Sequence, residues 1–123
     1  MPQSETVVIV GASDKPDRYA HRAMLALERH GHRTVLVHPR LRDIGGRVVH
    51  ADLASVPGPV DTVTLYVNPA ISSPMQSALI ALHPRRVLFN PGTENPALAQ
   101  ALEAAGISTE EACTLVLLAT DAF

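Results

Sequence analysis

The stretch Thr6-Val-Val-Ile-Val-Gly-Ala-Ser-Asp-Lys15 decides how the rest of the chain is read. Positions 6 to 10 are all β-branched, and the run stops at Gly11. So short an apolar run suits a strand buried on both faces rather than a helix. A glycine at its end lets the chain turn tightly, so that backbone N–H groups and the start of a following helix can meet a phosphate. Ser13 adds a hydroxyl donor or a helix cap. The loop departs from G-x-G-x-x-G, with Ser13 and Pro16 in the later glycine positions. Taken alone, it is balanced between a phosphate cradle and a plain strand-to-helix turn.

Outward from this stretch, strand and helix patterns alternate. Ala20, Ala23, Met24 and Leu27 recur at helical spacing up to a stop at Gly31. Thr34–Val37 reads as a second strand, and Ile44-Gly-Gly46 as a turn. Asp52–Val56 reads as one helical turn. Thr62–Val67 is a third strand, Ile71–Leu82 a helix, and Arg86–Phe89 a fourth strand. Pro96–Ala105 is a helix closed by Gly106. Ile107–Ala112 is a weaker fifth strand, and Thr114–Leu118 is a final helix or strand. Alternation of this kind predicts an α/β fold: one Rossmann-like, doubly wound domain over residues 1–123, with a mostly parallel five-stranded sheet.

Composition agrees with one domain. The chain has 123 residues, 46% hydrophobic and 18% charged. Aromatics are only 3%, so the core is aliphatic and stacking platforms for single-stranded nucleic acid are nearly absent. A single cysteine excludes a disulfide framework and a thiolate zinc site. No stretch reads as a signal peptide or a membrane span, and the expectation is a cytoplasmic protein. The net charge of -2 argues against nucleic acid as a partner, but it hides an uneven distribution. Lys15, Arg18, Arg22, Arg29, Arg33, Arg40, Arg42 and Arg47 crowd one segment, opposed there only by Asp17, Glu28 and Asp43. Such a basic segment points to an anionic partner.

In a doubly wound sheet, ligands bind beyond the carboxyl ends of the strands. Here those ends are Gly11-Ala-Ser13, His38-Pro-Arg40, Val67-Asn-Pro69 and Asn90-Pro-Gly92. The second is the most informative. An NAD site usually carries an acid there to hold the ribose hydroxyls, whereas Arg40 would attract a phosphorylated ribose, as in NADP or coenzyme A. Pro39 offers a flat apolar surface, and Val67 and Asn68 another wall. Lys15, Arg18 and Arg22, with His21 nearby, are candidate partners for a diphosphate.

The ordered set of motifs resembles the stand-alone CoA-binding domain proteins. Their fold is similar to the nucleotide-binding domain of succinyl-CoA synthetase α subunits and of ADP-forming acyl-CoA synthetases. The resemblance is carried by Val8–Arg18, Val37-His-Pro-Arg40, Leu53–Pro57, Val60-Asp61, Phe89–Pro96 and Glu111–Leu118. It implies CoA or an acyl-CoA as ligand. Gly11, Ala12 and Ser13 would hold the diphosphate, and Arg40 the 3′-phosphate. His38 and Pro39 would wall the adenosine. Val67, Asn68, Asn90, Pro91 and Gly92 would line the rest. His38 stands where the family more often has Asn.

No residue pattern argues for catalysis. Cys113 is the only thiol, and a packing role suits it better than a reactive one. Two other readings stand beside CoA binding without chemistry: a small NADP-binding oxidoreductase-like module, and an interaction module with no cofactor. A homo-oligomer or a protein partner is open on the sequence.

Overall fold

The computed structural model describes residues 4–123. The first strand, β1 (Thr6–Val10), lies at the centre of the sheet. Its apolar run is continuous because both faces are covered. Val8 and Val10 enter one core with Leu79, Phe89, Leu98 and Leu102. Val7 and Ile9 enter the other with Met24, Leu27, Leu36 and Leu118.

From β1 the chain passes through helix α1 (Tyr19–Arg29) to β2 (Arg33–Val37), parallel to β1. A hairpin follows, β3 (Asp43–Ile44) and β4 (Arg47–His50). Its turn is Gly45-Gly46, with φ of 59° and 85°, a left-handed pair that suits a tight hairpin. β4 runs parallel to β2, and β3 closes that edge antiparallel. The chain then crosses back over β1 to β5 (Thr62–Leu65), β6 (Arg86–Phe89) and β7 (Ser108–Glu111), all parallel. The sheet thus has seven strands, in the order β3-β4-β2-β1-β5-β6-β7.

The α/β, Rossmann-like architecture is as expected, and the two strands beyond the expected five are those of the hairpin. The segment expected as one helix over 71–82 is broken. It forms α2 (Pro69–Ser72), a 3-10 turn (Ser73–Met75) and α3 (Gln76–Leu82). Pro74 lacks an N–H and removes one α-type hydrogen bond, which tightens the turn around it. Next come α4 (Pro96–Ala104) and α5 (Thr114–Ala119), so the last uncertain segment is a helix. α1 and α5 pack together, as do α3 and α4. β7 is polar because it is an edge: Ser108, Glu110 and Glu111 are exposed, and only the preceding Ile107 is buried.

Sequential strands run outward from β1 in one direction and from β5 in the other, so the switch in strand order lies between β1 and β5. A crevice at their carboxyl ends is where this topology places ligands.

Candidate functional site

The backbone after these strands is laced together. The N–H groups of Gly11 and Ala12 both donate to Val37 O, at 3.1 and 3.2 Å. Tyr66 N–H donates to Val10 O, and His38 N–H to His50 O. Gly11 is required by this closeness. Its φ is +86°, and a Cβ there would lie 2.8 Å from Tyr66 O and 2.8 Å from Val67 Cγ1.

Around these loops opens a cavity of about 920 Å³, near the upper end for ligand pockets. Gly11, Ala12, Ser13, Lys15, Arg18, His38, Pro39, Arg40 and Val67 all line it. Sequence reasoning missed several neighbours in the wall: Tyr19, the Ala51–Ala54 segment, and Ile71, Pro74, Met75 and Ala78. Ile71, Met75 and Ala78 follow i, i+4, i+7 spacing, a signal that was present. Tyr19 is 66% exposed at the rim, and Ile71 50%. These apolar residues give an extended ligand a greasy floor.

Polar groups surround that floor. Ser13 Oγ accepts from Lys15 N–H at 3.1 Å, which leaves the hydroxyl proton free to donate. Lys15, Arg18 and Arg40 are exposed, and none forms an ion pair with a described acid. The N-cap of α1 is Arg18, without a side-chain cap and with no acid in the first turn. Arg18, Tyr19 and Ala20 at this helix start line the cavity, and among the described residues no side chain caps it, which favours an anion there. By contrast, Asn68 caps α2 and Asn95 caps α4. Asp52, the acid in the wall, accepts from Ser55 N–H and Ser55 Oγ–H. The Ser55 bonds hold its carboxyl below the usual range.

The remaining expected contacts lie outside this wall. The His21 ring sits behind the first loop, with Nδ1–H donating to Ser13 O at 2.8 Å. Arg22 stacks over the Tyr19 ring at 5.5 Å. Asn68 accepts from Ile71 N–H at 3.1 Å. Pro91 and Gly92 are exposed beyond β6, and Gly92 N–H donates to Glu94 Oε1.

Asn90 is buried, and all its bonds are internal. Its amide donates to Thr64 Oγ1 at 2.6 Å and Leu65 O at 2.9 Å, while its Oδ1 accepts from Thr114 N–H at 2.9 Å. Thr64 and Thr114 join hydroxyls at 2.8 Å, completing a buried polar bracket between β5, β6 and α5. The Tyr66 hydroxyl is buried without a hydrogen-bond partner among the described residues. Burial pushes its phenol up to about 12. Cys113 is half-buried at the start of α5.

Fold and cavity together define a Rossmann-like domain of the class whose ligand sites lie at the switch in strand order. The chain belongs to the family described as the CoA binding domain, whose family model matches residues 5–119. A crystal structure of an uncharacterized protein is 36% identical to it, with a TM-score of 0.93, covering 99% of this chain and 100% of that one. The chain is also similar to the uncharacterized protein YneT of Bacillus subtilis (strain 168), 29% identical over 66 residues. That match takes in 54% of this chain and 49% of YneT, so it spans about half of that relative's length. In fold alone, the likeness extends to the dinucleotide forming acetyl-coenzyme A synthetase 1 of Ca. Korarchaeum cryptofilum. There the identity is 15% and the TM-score 0.75, covering 88% of this chain and 25% of that one. No described helix is long and apolar enough to cross a membrane.

Proposed function

We propose that this chain binds CoA or an acyl-CoA in the cavity between Gly11, Arg40 and Met75, and that it performs no chemistry of its own on the ligand. One observation carries the reading. In a member of the CoA binding domain family, three cations without acidic partners among the described residues and an uncapped helix start ring one apolar-floored cavity. The donor set fits the ligand's chemistry. The Gly11 and Ala12 N–H groups are held by Val37 O, so a diphosphate suits the Ser13 hydroxyl and the α1 terminus, with Lys15 and Arg18 neutralising its charge. Arg40 takes the 3′-phosphate, with His38 and Pro39 beside the adenosine. The stripe Ile71, Met75 and Ala78 takes the apolar length of the pantetheine arm. Bound CoA would supply a thiol for acyl groups; the chain's part is to hold and orient it.

Calorimetry with CoA, 3′-dephospho-CoA, NAD and NADP tests this reading. CoA is expected to bind tightest. Arg40→Ala is expected to weaken CoA more than dephospho-CoA by about 1–3 kcal/mol, the range of a charge-assisted bond. Binding of NADP without CoA would sink the proposal in favour of a reductase-like module. Equal losses for the two CoA forms would remove Arg40 from the 3′-phosphate.

A further inference from the structure

We propose that His38 is a positioning residue for Arg40, that it works only as the neutral imidazole, and that ligand affinity therefore falls as this ring takes up a proton. The proposal rests on the reading of the cavity as a CoA site and names a means of regulating it.

The geometry starts at the end of β2. His38 Nδ1 lies 3.0 Å from Arg40 N and 3.0 Å from Leu41 N. Both groups are backbone donors, so Nδ1 has to present its lone pair, and the neutral ring carries its proton on Nε2. Neither N–H donates to a backbone carbonyl of the described residues. Pro39, between them and His38, has no N–H to give. A single ring nitrogen thus closes the 38–41 turn, as the side-chain oxygen of Asn or Asp does in an Asx turn. On the other side the residue is fixed by its own N–H, which donates to His50 O at 2.9 Å.

Arg40 depends on this clasp. It is exposed and has no ion-pair partner among the described acids, so its backbone position decides where its guanidinium starts from. Protonation turns Nδ1 from an acceptor into a donor facing two other donors. Both bonds are lost, and the turn carrying Arg40 is left with the ring constraint of Pro39. The charged groups sharing the cavity wall with His38 are Lys15 and Arg18 from the first loop, Arg40 from its own turn, and Asp52 after β4. Arg42 follows on the same segment, and His50 joins it backbone to backbone.

The test compares wild type, His38→Asn and His38→Phe by CoA calorimetry from pH 7.5 to pH 5.5. The 3′-phosphate of CoA itself gains a proton near pH 6, so the variants are compared at each pH. Phe has no acceptor, and His38→Phe is expected to bind about tenfold more weakly at pH 7.5, in line with two lost hydrogen bonds. Asn restores an acceptor, and His38→Asn is expected to recover most of that loss. The ratio of wild-type to His38→Asn affinity is then expected to fall as the ring takes up its proton, by about tenfold in all, the loss the same two bonds set in His38→Phe. A ratio that stays flat overturns the proposal. So does a ratio that rises on acidification, which would make the imidazolium a direct anion contact.

Nitrogen-15 spectra of the ligand-free protein decide the clasp independently. The expected result is an unprotonated Nδ1 at neutral pH, with the Arg40 and Leu41 amides following the His38 titration. Amides that ignore that titration overturn the proposal. If wild type binds no CoA at any pH, the ligand reading falls, and these spectra still decide whether His38 holds the turn.

Discussion

Replacing Asn90 separates support of the sheet from contact with a ligand. Asn90→Ala removes three buried hydrogen bonds, to Thr64 Oγ1, Leu65 O and Thr114 N–H. Each such bond contributes about 0.5–1.5 kcal/mol net, and a buried group left without a partner costs about 1–3 kcal/mol. The Thr114 N–H is left in that state, because Thr114 is fully buried at the first turn of α5. The expected loss is on the order of 3 kcal/mol, a large share of the roughly 5–15 kcal/mol that holds a small domain together. For a chain of this size that lowers the melting temperature by roughly 10–15 °C. Urea unfolding at pH 7, followed by circular dichroism, measures it. Asn90→Asp is a useful companion. It keeps the acceptor for Thr114 but sets an oxygen against Leu65 O, so it is expected to destabilise at least as much. A loss below about 1 kcal/mol for both variants would refute the bracket. Unchanged stability with abolished CoA binding would instead make Asn90 a ligand contact.

Other perturbations follow from the same contacts. Gly11→Ala sets a Cβ 2.8 Å from the Tyr66 carbonyl at a φ of +86°, and is expected to cost about 2–4 kcal/mol in thermal unfolding; an unchanged melt would mean that the loop relaxes freely. Arg47 grips Glu28 with two bonds of 2.7 Å, and the two side chains are 31% and 32% exposed, so Arg47→Met is expected to cost about 0.5–1 kcal/mol at pH 7. Arg47 holds the Glu28 carboxyl below 4.5, so this stabilisation is present above the ordinary carboxylate range. It is lost as falling pH protonates Glu28, and the gap between wild type and variant should close on acidification. In a Tyr19→Phe variant, Tyr66 is the only tyrosine, and ultraviolet titration should place its ionisation at about 12. Since an unfolded tyrosine ionises near 10, the stability contributed by the buried phenol is expected to fall as pH rises above that value. A phenol that titrates near 10 in the folded protein would contradict its burial.

Much of the architecture is legible in the sequence because buried parallel strands announce themselves. β1, β5 and β6 are short apolar or β-branched runs ended by turn formers, and each is found to within a few residues. The hairpin is not legible in this way. Gly45-Gly46 reads as a turn, but β3 has only two residues and β4 mixes Arg47 and His50 with two valines. Their pairing is decided at a distance, by the β2 ladder and by the Arg47–Glu28 grip on α1. For the cavity, residues immediately following β1 and β2 can be read from their loops. Tyr19 and the Ile71–Ala78 stripe depend on how helices pack over the crevice, and that is a tertiary matter. Asn90 shows the opposite limit. An Asn at a strand end looks the same in sequence whether its amide faces a ligand or ties two strands to a helix.

The wall of the cavity draws on no described residue after Ala78. Along its length the chain therefore divides into a part that shapes the site and a part, from β6 to α5, that buttresses it. Exposed turns in a buttress are where foreign sequence is best tolerated. The turn at Gly106, exposed between α4 and β7 at the far edge of the sheet, is such a place. A fluorescent reporter grafted there would ride on the same rigid sheet as the site without entering it, and the fold could serve as the recognition half of a ligand sensor.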